Sequence, residues 1–240
     1  MKKVQWAYDL HIHSALSPCG DNDMTPNNII NMARLKGLDI IAVTDHNSTK
    51  NLPALFKIGE KQDLLIVPGI EVTTKEEVHI LCYFLTLEDA LKFDDDISKY
   101  LPSISNDNEL FGEQLILNEK DKVVGEIKNL LISALDLSVD EIFLLVQEKK
   151  GIAIPAHVDK TSFSMISNLG FIPPHLPIST LEVSRKVHMN QKEMKKSWKL
   201  LKDYHFIQSS DAHYLGDILE RQSFIALEHL NIRELFHTMR

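Results

Sequence analysis

The sequence predicts an α/β fold in which a largely parallel sheet closes into a barrel, and three observations carry that prediction. Short β-branched runs alternate with amphipathic helical patterns along most of the chain, the signature of strands joined through helices. At 240 residues and 44% hydrophobic, the chain can bury the core of one large domain with a modest insertion. Histidines and carboxylates stand at or beside the strand ends, mostly the C-terminal ends, which share one rim in a parallel barrel. An open doubly wound sheet is the architectural alternative.

The first strand is expected over residues 6–14, read WAYDLHIHS. Alternation places Ala7, Asp9, His11 and His13 on one side, with Leu10 and Ile12 on the other. Thr25-Pro26 starts a helix, hydroxyl as N-cap and Pro at the first helical position; Ile29, Ile30, Ala33 and Leu38 follow at near helical spacing and Gly37 closes it. Residues 39–44 form a β-branched strand ending in Asp45-His46, and 52–61 read as a second helix. The third strand, 64–67, runs through Pro68-Gly69 into Ile70-Glu71-Val72. A fourth, 78–84, carries His79 at its start.

The rhythm changes near residue 86. Residues 87–100 read as a helix with an acidic Asp94-Asp95-Asp96 face, 114–117 and Val123-Val124 as a hairpin, and 126–135 and 139–149 as amphipathic helices. No histidine occurs between 87 and 150, so that segment reads as a mainly helical inserted cap or subdomain of a single domain spanning 1–240. Alternation then resumes. A strand over 152–156 ends at His157, another covers 180–183, and a lysine-rich helix follows over 189–204. Residues 206–209 lead into Ser210-Asp211-Ala212-His213, and 223–227 with 232–239 supply a last strand and helix.

A net charge of −8 argues against an extended basic groove for nucleic acid but leaves room for a local cationic pocket for a small anion. Cys19 and Cys82 read as reduced thiols, which together with the absence of a signal-like or membrane-spanning apolar run predicts a cytoplasmic protein.

The chemistry lies in one positional set: His11, His13, His46, Glu71, His79, His157, Asp211 and His213. Gathering that many titratable groups at one rim without a cation costs several kcal/mol in desolvation and repulsion, roughly. A metal cluster removes the conflict. One zinc uses three or four protein ligands, so the set predicts more than one ion, and zinc, manganese and iron all suit mixed histidine and carboxylate donors. Adjacent ions that share a carboxylate suit phosphoester hydrolysis.

The motifs Asp9-Leu10-His11-Ile12-His13-Ser14, Thr44-Asp45-His46, Gly69-Ile70-Glu71, His79, Ala156-His157 and Ser210-Asp211-Ala212-His213 resemble, in order, those of the PHP family of polymerase and histidinol phosphatase domains. The resemblance implies a distorted (β/α)7 barrel with two or three divalent metals at its rim. It assigns His11, His13, Glu71 and Asp211 to one metal, the bridging Glu71 with His79 and His157 to a second, and His46 with His213 to a third. One departure is visible: where family members commonly carry an aspartate or histidine for the third metal, this chain has Cys19, with Asp21 the nearest carboxylate. A thiolate suits zinc, while the alternative is that Cys19 packs in a turn beside Gly20. Asp9 and Asp45 are expected behind the ligands, Asp45 as acceptor from a ligating histidine. Lys160 and Arg185 are candidates for the substrate phosphate. His175, His188, His205, His229 and His237 read as ordinary histidines, and Lys192, Lys195, Lys196 and Lys199 as a solvated helical stripe.

The expected function is a metal-dependent phosphoesterase that hydrolyses a small phosphomonoester or nucleotide-type phosphate by a metal-bridged hydroxide, with Glu71, Asp211 and His213 in the reaction. Its partner is then a small phosphorylated substrate, with neither a membrane nor a long nucleic-acid groove. The alternative is a metal-binding PHP domain with a structural or interaction role, which the filled ligand positions disfavour. A third reading, C–N bond cleavage as in amidohydrolases, lacks the bridging lysine those enzymes usually offer.

Overall fold

The computed structural model describes residues 3–187 and 201–240. Most of the helix expected over 189–204, its lysine stripe and His188 lie outside the described residues. The described elements are β1 (Val4–Ile12), α1 (Pro26–Leu35), β2 (Ile40–Val43), α2 (Leu52–Gly59), β3 (Leu65–Thr73), β4 (His79–Tyr83), α3 (Leu87–Ile97), α4 (Asn108–Phe111), β5 (Leu115–Leu117), β6 (Val123–Glu126), α5 (Val139–Glu148), β7 (Ile152–Pro155), α6 (Met165–Leu169), β8 (Thr180–Ser184), β9 (His205–Ser209), β10 (Phe224–Leu227) and α7 (Ile232–Met239). None of the described helices is long and apolar enough to cross a membrane.

The result is a mixed α/β fold built on a curled sheet. Its main sheet has the order β10-β1-β2-β3-β4-β7, and β8 pairs β9 in parallel. The sheet curls until the β8-β9 pair stands between β7 and β1: Val158 N–H donates to the Glu182 carbonyl at 2.9 Å, and Ile12 bridges Ala212 in parallel. Two apolar layers follow from this curl. Tyr8, Leu10, Ile40, Ala42, Val67, Leu81, Tyr83, Ile154 and Ile207 pack together. Ile29, Ile30, Ala33, Leu55, Phe93, Ile142, Phe143 and Val146, from the helices, pack on the other strand faces.

The parallel repeat expected from sequence is broken at β4. That strand is antiparallel to both β3 and β7, because a tight 73–79 turn, with Glu77 at φ 56°, joins it directly to β3. The reversal brings the N-terminal end of β4 to the rim reached by the C-terminal ends of its neighbours. His79 therefore starts its strand and still faces the same rim as Glu71 and His157.

The β3 strand changes partner midway, pairing β2 through Leu65–Pro68 and β4 through Gly69–Thr73. Glycine is required at the switch, since a Cβ on Gly69 would stand 2.8 Å from Thr44 Cγ2 and 3.0 Å from the Tyr83 ring. β1 is irregular as well. Between Asp9 and Ile12 it advances three residues while β2 advances from Ile41 to Val43, a β-bulge. Ala7 and Ile12 consequently pack in one apolar layer and Tyr8 and Leu10 in the other, which strict alternation forbids. Asp9 does not share a face with His11 and His13 as expected.

Within 87–150, α3 and α5 form and pack on the sheet, and the hairpin forms as β5 and β6. The helix expected over 126–135 does not. Its backbone instead bonds to buried amide side chains: Gln114 Nε2 donates to Ile127 O and Asn129 O, and Asn47 Nδ2 to Leu131 O and Ser133 O, at 2.8–2.9 Å. The segment is thus less helical than predicted. Asn51 holds its other side, accepting from Leu117 N–H at 2.8 Å while donating to Ser14 Oγ at 2.9 Å. Asn47 and Asn51 therefore fasten this segment to the loops that follow β1 and β2, while Gln114 braces it from within.

Candidate metal centre

The curl, the β4 reversal and the β1 bulge bring all eight predicted residues to one place, and Glu71 stands at its middle. One carboxylate oxygen, Oε1, lies 2.9 Å from His79 Nδ1 and 3.3 Å from both His11 Nε2 and His157 Nε2. The other, Oε2, lies 3.1 Å from His46 Nδ1 and 3.3 Å from His13 Nε2. Asp211 Oδ1 is 3.3 Å from His11 Nε2 and 3.2 Å from His13 Nε2. The His213 ring stacks on His13, centroids 4.3 Å apart.

These residues fit metal ions, and the test is what their buried atoms lack. Both Glu71 oxygens, with Nδ1 of His46, His79 and His157, are buried without a hydrogen-bond partner. Folded proteins rarely leave buried polar atoms unmatched. Ligands about 2.0–2.1 Å from a divalent ion stand about 3.0–3.4 Å apart around a tetrahedral or octahedral centre, close to the separations seen here. Three overlapping donor groups lie within 4.8 Å: His11, His13 and Asp211; His46, Glu71 and His79; and His13, His46 and His213.

Behind His11, His13 and His213, hydrogen bonds orient the rings. His11 Nδ1 is 3.0 and 3.1 Å from the two Glu182 oxygens. His13 Nδ1 is 3.0 Å from Ser17 Oγ, which itself donates to Asp45 Oδ1 at 2.7 Å and so accepts from the ring. His213 Nδ1 donates to the Asp211 carbonyl at 2.9 Å. An acceptor at Nδ1 fixes the proton there and leaves Nε2 for a cation. The backbone adds its own aim: His157 at φ 29° and Asp211 at φ 54° adopt left-handed conformations, each costing about 1–3 kcal/mol and typical of functional sites.

Charge in the cluster follows from the same contacts. Burial would raise Glu71, but His79, His11 and His46 hold its carboxyl well below the usual range. Burial would lower His11 and His13, but the carboxylates outweigh it, Glu182 and Glu71 raising His11 and Asp211 and Glu71 holding His13 at about 9. His46, pressed by burial, lies well below its ordinary value. Burial and the neighbouring His13 push His213 down to about 4.

Several expectations change on contact with the geometry. Asp45 touches no histidine ring; it accepts from Ser14 N–H, Ser14 Oγ and Ser17 Oγ, so Ser17 stands between it and His13. Asp9 accepts from Ser210 N–H at 3.0 Å and Leu219 N–H at 2.9 Å, tying the Asp211 loop to β1 instead of orienting a ring. Cys19 is exposed and belongs to none of the donor groups. Asp21 Oδ1 accepts from Asp23 N–H within its own turn. Arg185 pairs with Asp217 at 2.8 Å, whereas Lys160 ion-pairs directly with Asp211. Glu182 and Ser17 were not anticipated. The signal for Glu182 was a lone carboxylate inside the apolar strand TLEVS; Ser17 carried none.

Comparison with known proteins follows the same lines. The PHP domain profile matches residues 9–165. Phosphoribosyl 1,2-cyclic phosphate 1,2-diphosphodiesterase of Eggerthella lenta is 35% identical over 78 residues, 30% of this chain and 29% of that protein. The 5'-3' exoribonuclease Rnm of Salmonella typhimurium is 32% identical over 79 residues, 31% of this chain and 26% of that protein. The matches thus span under a third of those relatives' lengths. In three dimensions, the lesion-specific endonuclease PfuEndoQ of Pyrococcus furiosus superposes with a TM-score of 0.66 at 20% identity, covering 98% of this chain and 56% of that one.

Proposed function

This chain belongs to the PHP domain family, and from that premise we propose that it is a metal-dependent hydrolase of nucleotide-type phosphoesters. The observation that carries the reading is Glu71: a buried carboxylate ringed by five imidazoles, with neither oxygen hydrogen-bonded. Two or three ions of zinc, manganese or iron held by the His, Glu and Asp set would neutralise phosphoryl charge and activate water. His11, His13, Glu71 and Asp211 would serve one, Glu71, His79 and His157 another, and His46 and His213 a third.

The remaining roles belong to the chain itself. Among the described residues, Lys160 brings an ammonium to this rim, paired with Asp211. Burial would lower it, but Asp211 outweighs burial and keeps it protonated, so Lys160 is the group that meets a phosphate oxygen. His213, held near 4, is neutral at pH 7 and offers a lone pair, not a proton. Residues 87–150, fastened by Asn47 and Asn51, are the segment that shapes the approach.

The relatives' names widen the substrate. One is named for a phosphoribosyl cyclic phosphate and one for RNA, and the fold neighbour is an endonuclease, which counts against limiting the partner to a small phosphomonoester. The net charge of −8 counts against a long electrostatic track. A nucleotide phosphoester, free or at a strand end, satisfies both.

The test is metal analysis of untagged protein together with a phosphomonoester and phosphodiester panel. Turnover by metal-loaded protein, lost in His11→Ala and Asp211→Asn, supports the reading. Two or three bound equivalents with no turnover on any substrate would favour the non-catalytic alternative.

A further inference from the structure

Phe163 is a large, exposed apolar side chain beside the cluster that the metal set does not explain. Phe163 stacks on His79, ring centroids 4.9 Å apart and planes inclined by 23°. His79 in turn faces Glu71 at 2.9 Å, so the phenyl ring lies one stacking distance from the ligands. Phe163 is nevertheless 43% exposed. His79 stacks on one face of the ring, and the residue keeps that exposure despite the contact.

Its placement is built into the backbone. Phe163 sits at φ 54°, a left-handed conformation unfavourable for a bulky residue. Three hydrogen bonds hold it there: His79 N–H to the Phe163 carbonyl at 2.9 Å, Ser164 Oγ to the Lys160 carbonyl at 2.8 Å, and Ser167 N–H to the Ser164 Oγ that caps α6 at 3.1 Å. The turn that presents this ring also presents the Lys160 ammonium beside Asp211. One short turn therefore offers a cation toward the carboxylate and histidine set and an exposed aromatic ring beside it.

We propose that Phe163 is a specificity-determining residue whose exposed ring stacks a nucleobase joined through its sugar to the phosphate at the centre. The inference rests on the phosphoesterase reading and narrows its substrate class. Base–aromatic stacking is tolerant of base identity because every base has a π-face, so selection is for the presence of a base, not its sequence.

The experiment compares adenosine 5′-monophosphate with ribose 5-phosphate, which share the phosphate and sugar and differ by the base. Both binding, by equilibrium dialysis, and turnover are read on metal-loaded wild type, Phe163→Leu and Phe163→Trp, with metal content measured for each. The expected result is a preference of about tenfold or more for the nucleotide, seen in KM more than kcat, abolished by Leu and kept by Trp. Equal weakening of both ligands in Phe163→Leu would mean that the ring only packs His79, and a wild type with no preference would overturn the proposal outright. If neither compound is turned over but the Phe163-dependent binding preference persists, the hydrolase reading fails while the base subsite stands.

Discussion

Two buried carboxylates flank His11, and their surroundings differ in kind. Glu182, behind the ring, is satisfied: it faces His11 Nδ1 at 3.0 Å and accepts from His157 N–H at 3.0 Å. Glu71, in front of the ring, is crowded by five imidazoles yet has no hydrogen bond to either oxygen. Both are essentially inaccessible, at 1% and 0% exposed, so burial does not separate them. The back of the cluster is closed by protein and the front is left for a cation. Held this way, ligands lose little freedom on binding a metal.

The sharpest break of that comparison is Glu71→Gln. The amide keeps the volume and removes the charge, and its NH2 would confront ring nitrogens. Metal retention after dialysis and turnover should both fall by more than the roughly 100-fold that an orienting partner contributes. A Glu71→Gln protein with full metal content and rate would show that the front carboxylate is not a ligand.

Next is Glu182. In Glu182→Ala, His11 Nδ1 and His157 N–H lose their common acceptor, an effect of about 1–3 kcal/mol in stability, and zinc affinity in a competition titration should weaken about 10- to 100-fold. Glu182→Gln, which keeps an oxygen acceptor, should recover most of the stability and part of the affinity. A melting-temperature loss in the alanine variant with unchanged zinc affinity would reduce Glu182 to a packing residue.

The front of the cluster was far more legible in sequence than its back. Strand ends in a barrel share a rim, so residue type and position alone assembled His11, His13, His46, Glu71, His79, His157, Asp211 and His213. What supports them depends on local departures from regular geometry. The β1 bulge turns Asp9 away from His11, and a period of two cannot foresee an inserted residue. Helical periodicity over 126–135 reflected real burial, of Leu130, Leu131 and Leu135, but amide side chains from distant segments captured the backbone. The alternation that predicted the fold likewise missed the β3-β4 reversal, since a strand's direction is set by the turn before it.

A smaller effect divides the front itself by pH. In the metal-free protein His13 lies at about 9, above its ordinary 6.5; its contribution is complete below 6.5 and is lost as pH rises toward 9. His213, at about 4, is depressed; its contribution is present above 6.5 and is lost as pH falls toward 4. Thermal melts with chelator should therefore peak near pH 6.5 and decline on both sides. Added zinc must displace the protons on His13 and His11, so its stabilisation should grow with pH across the window where the metal-free protein weakens. A zinc increment that is flat with pH would mean that the ion does not compete for those rings.

The smallest effects are expected just outside the cluster, at Cys19 and Arg185. Cys19 stands near the Asp21 turn, whose N–H donates to the His213 carbonyl at 2.9 Å, so it borders the third donor group without joining it. The residue is exposed, and its thiol belongs to none of the three donor groups. Cys19→Ser should therefore keep the full metal stoichiometry. Arg185→Ala removes an exposed pair with Asp217, and such pairs contribute about 0–1 kcal/mol, so KM for a phosphoester should change less than about twofold, in contrast to Lys160→Ala, which removes the ammonium beside Asp211 and should raise it. Loss of one metal equivalent in Cys19→Ser would instead move the boundary of the front outward, making the thiol the third ion's ligand and leaving His46 and His213 dependent on it.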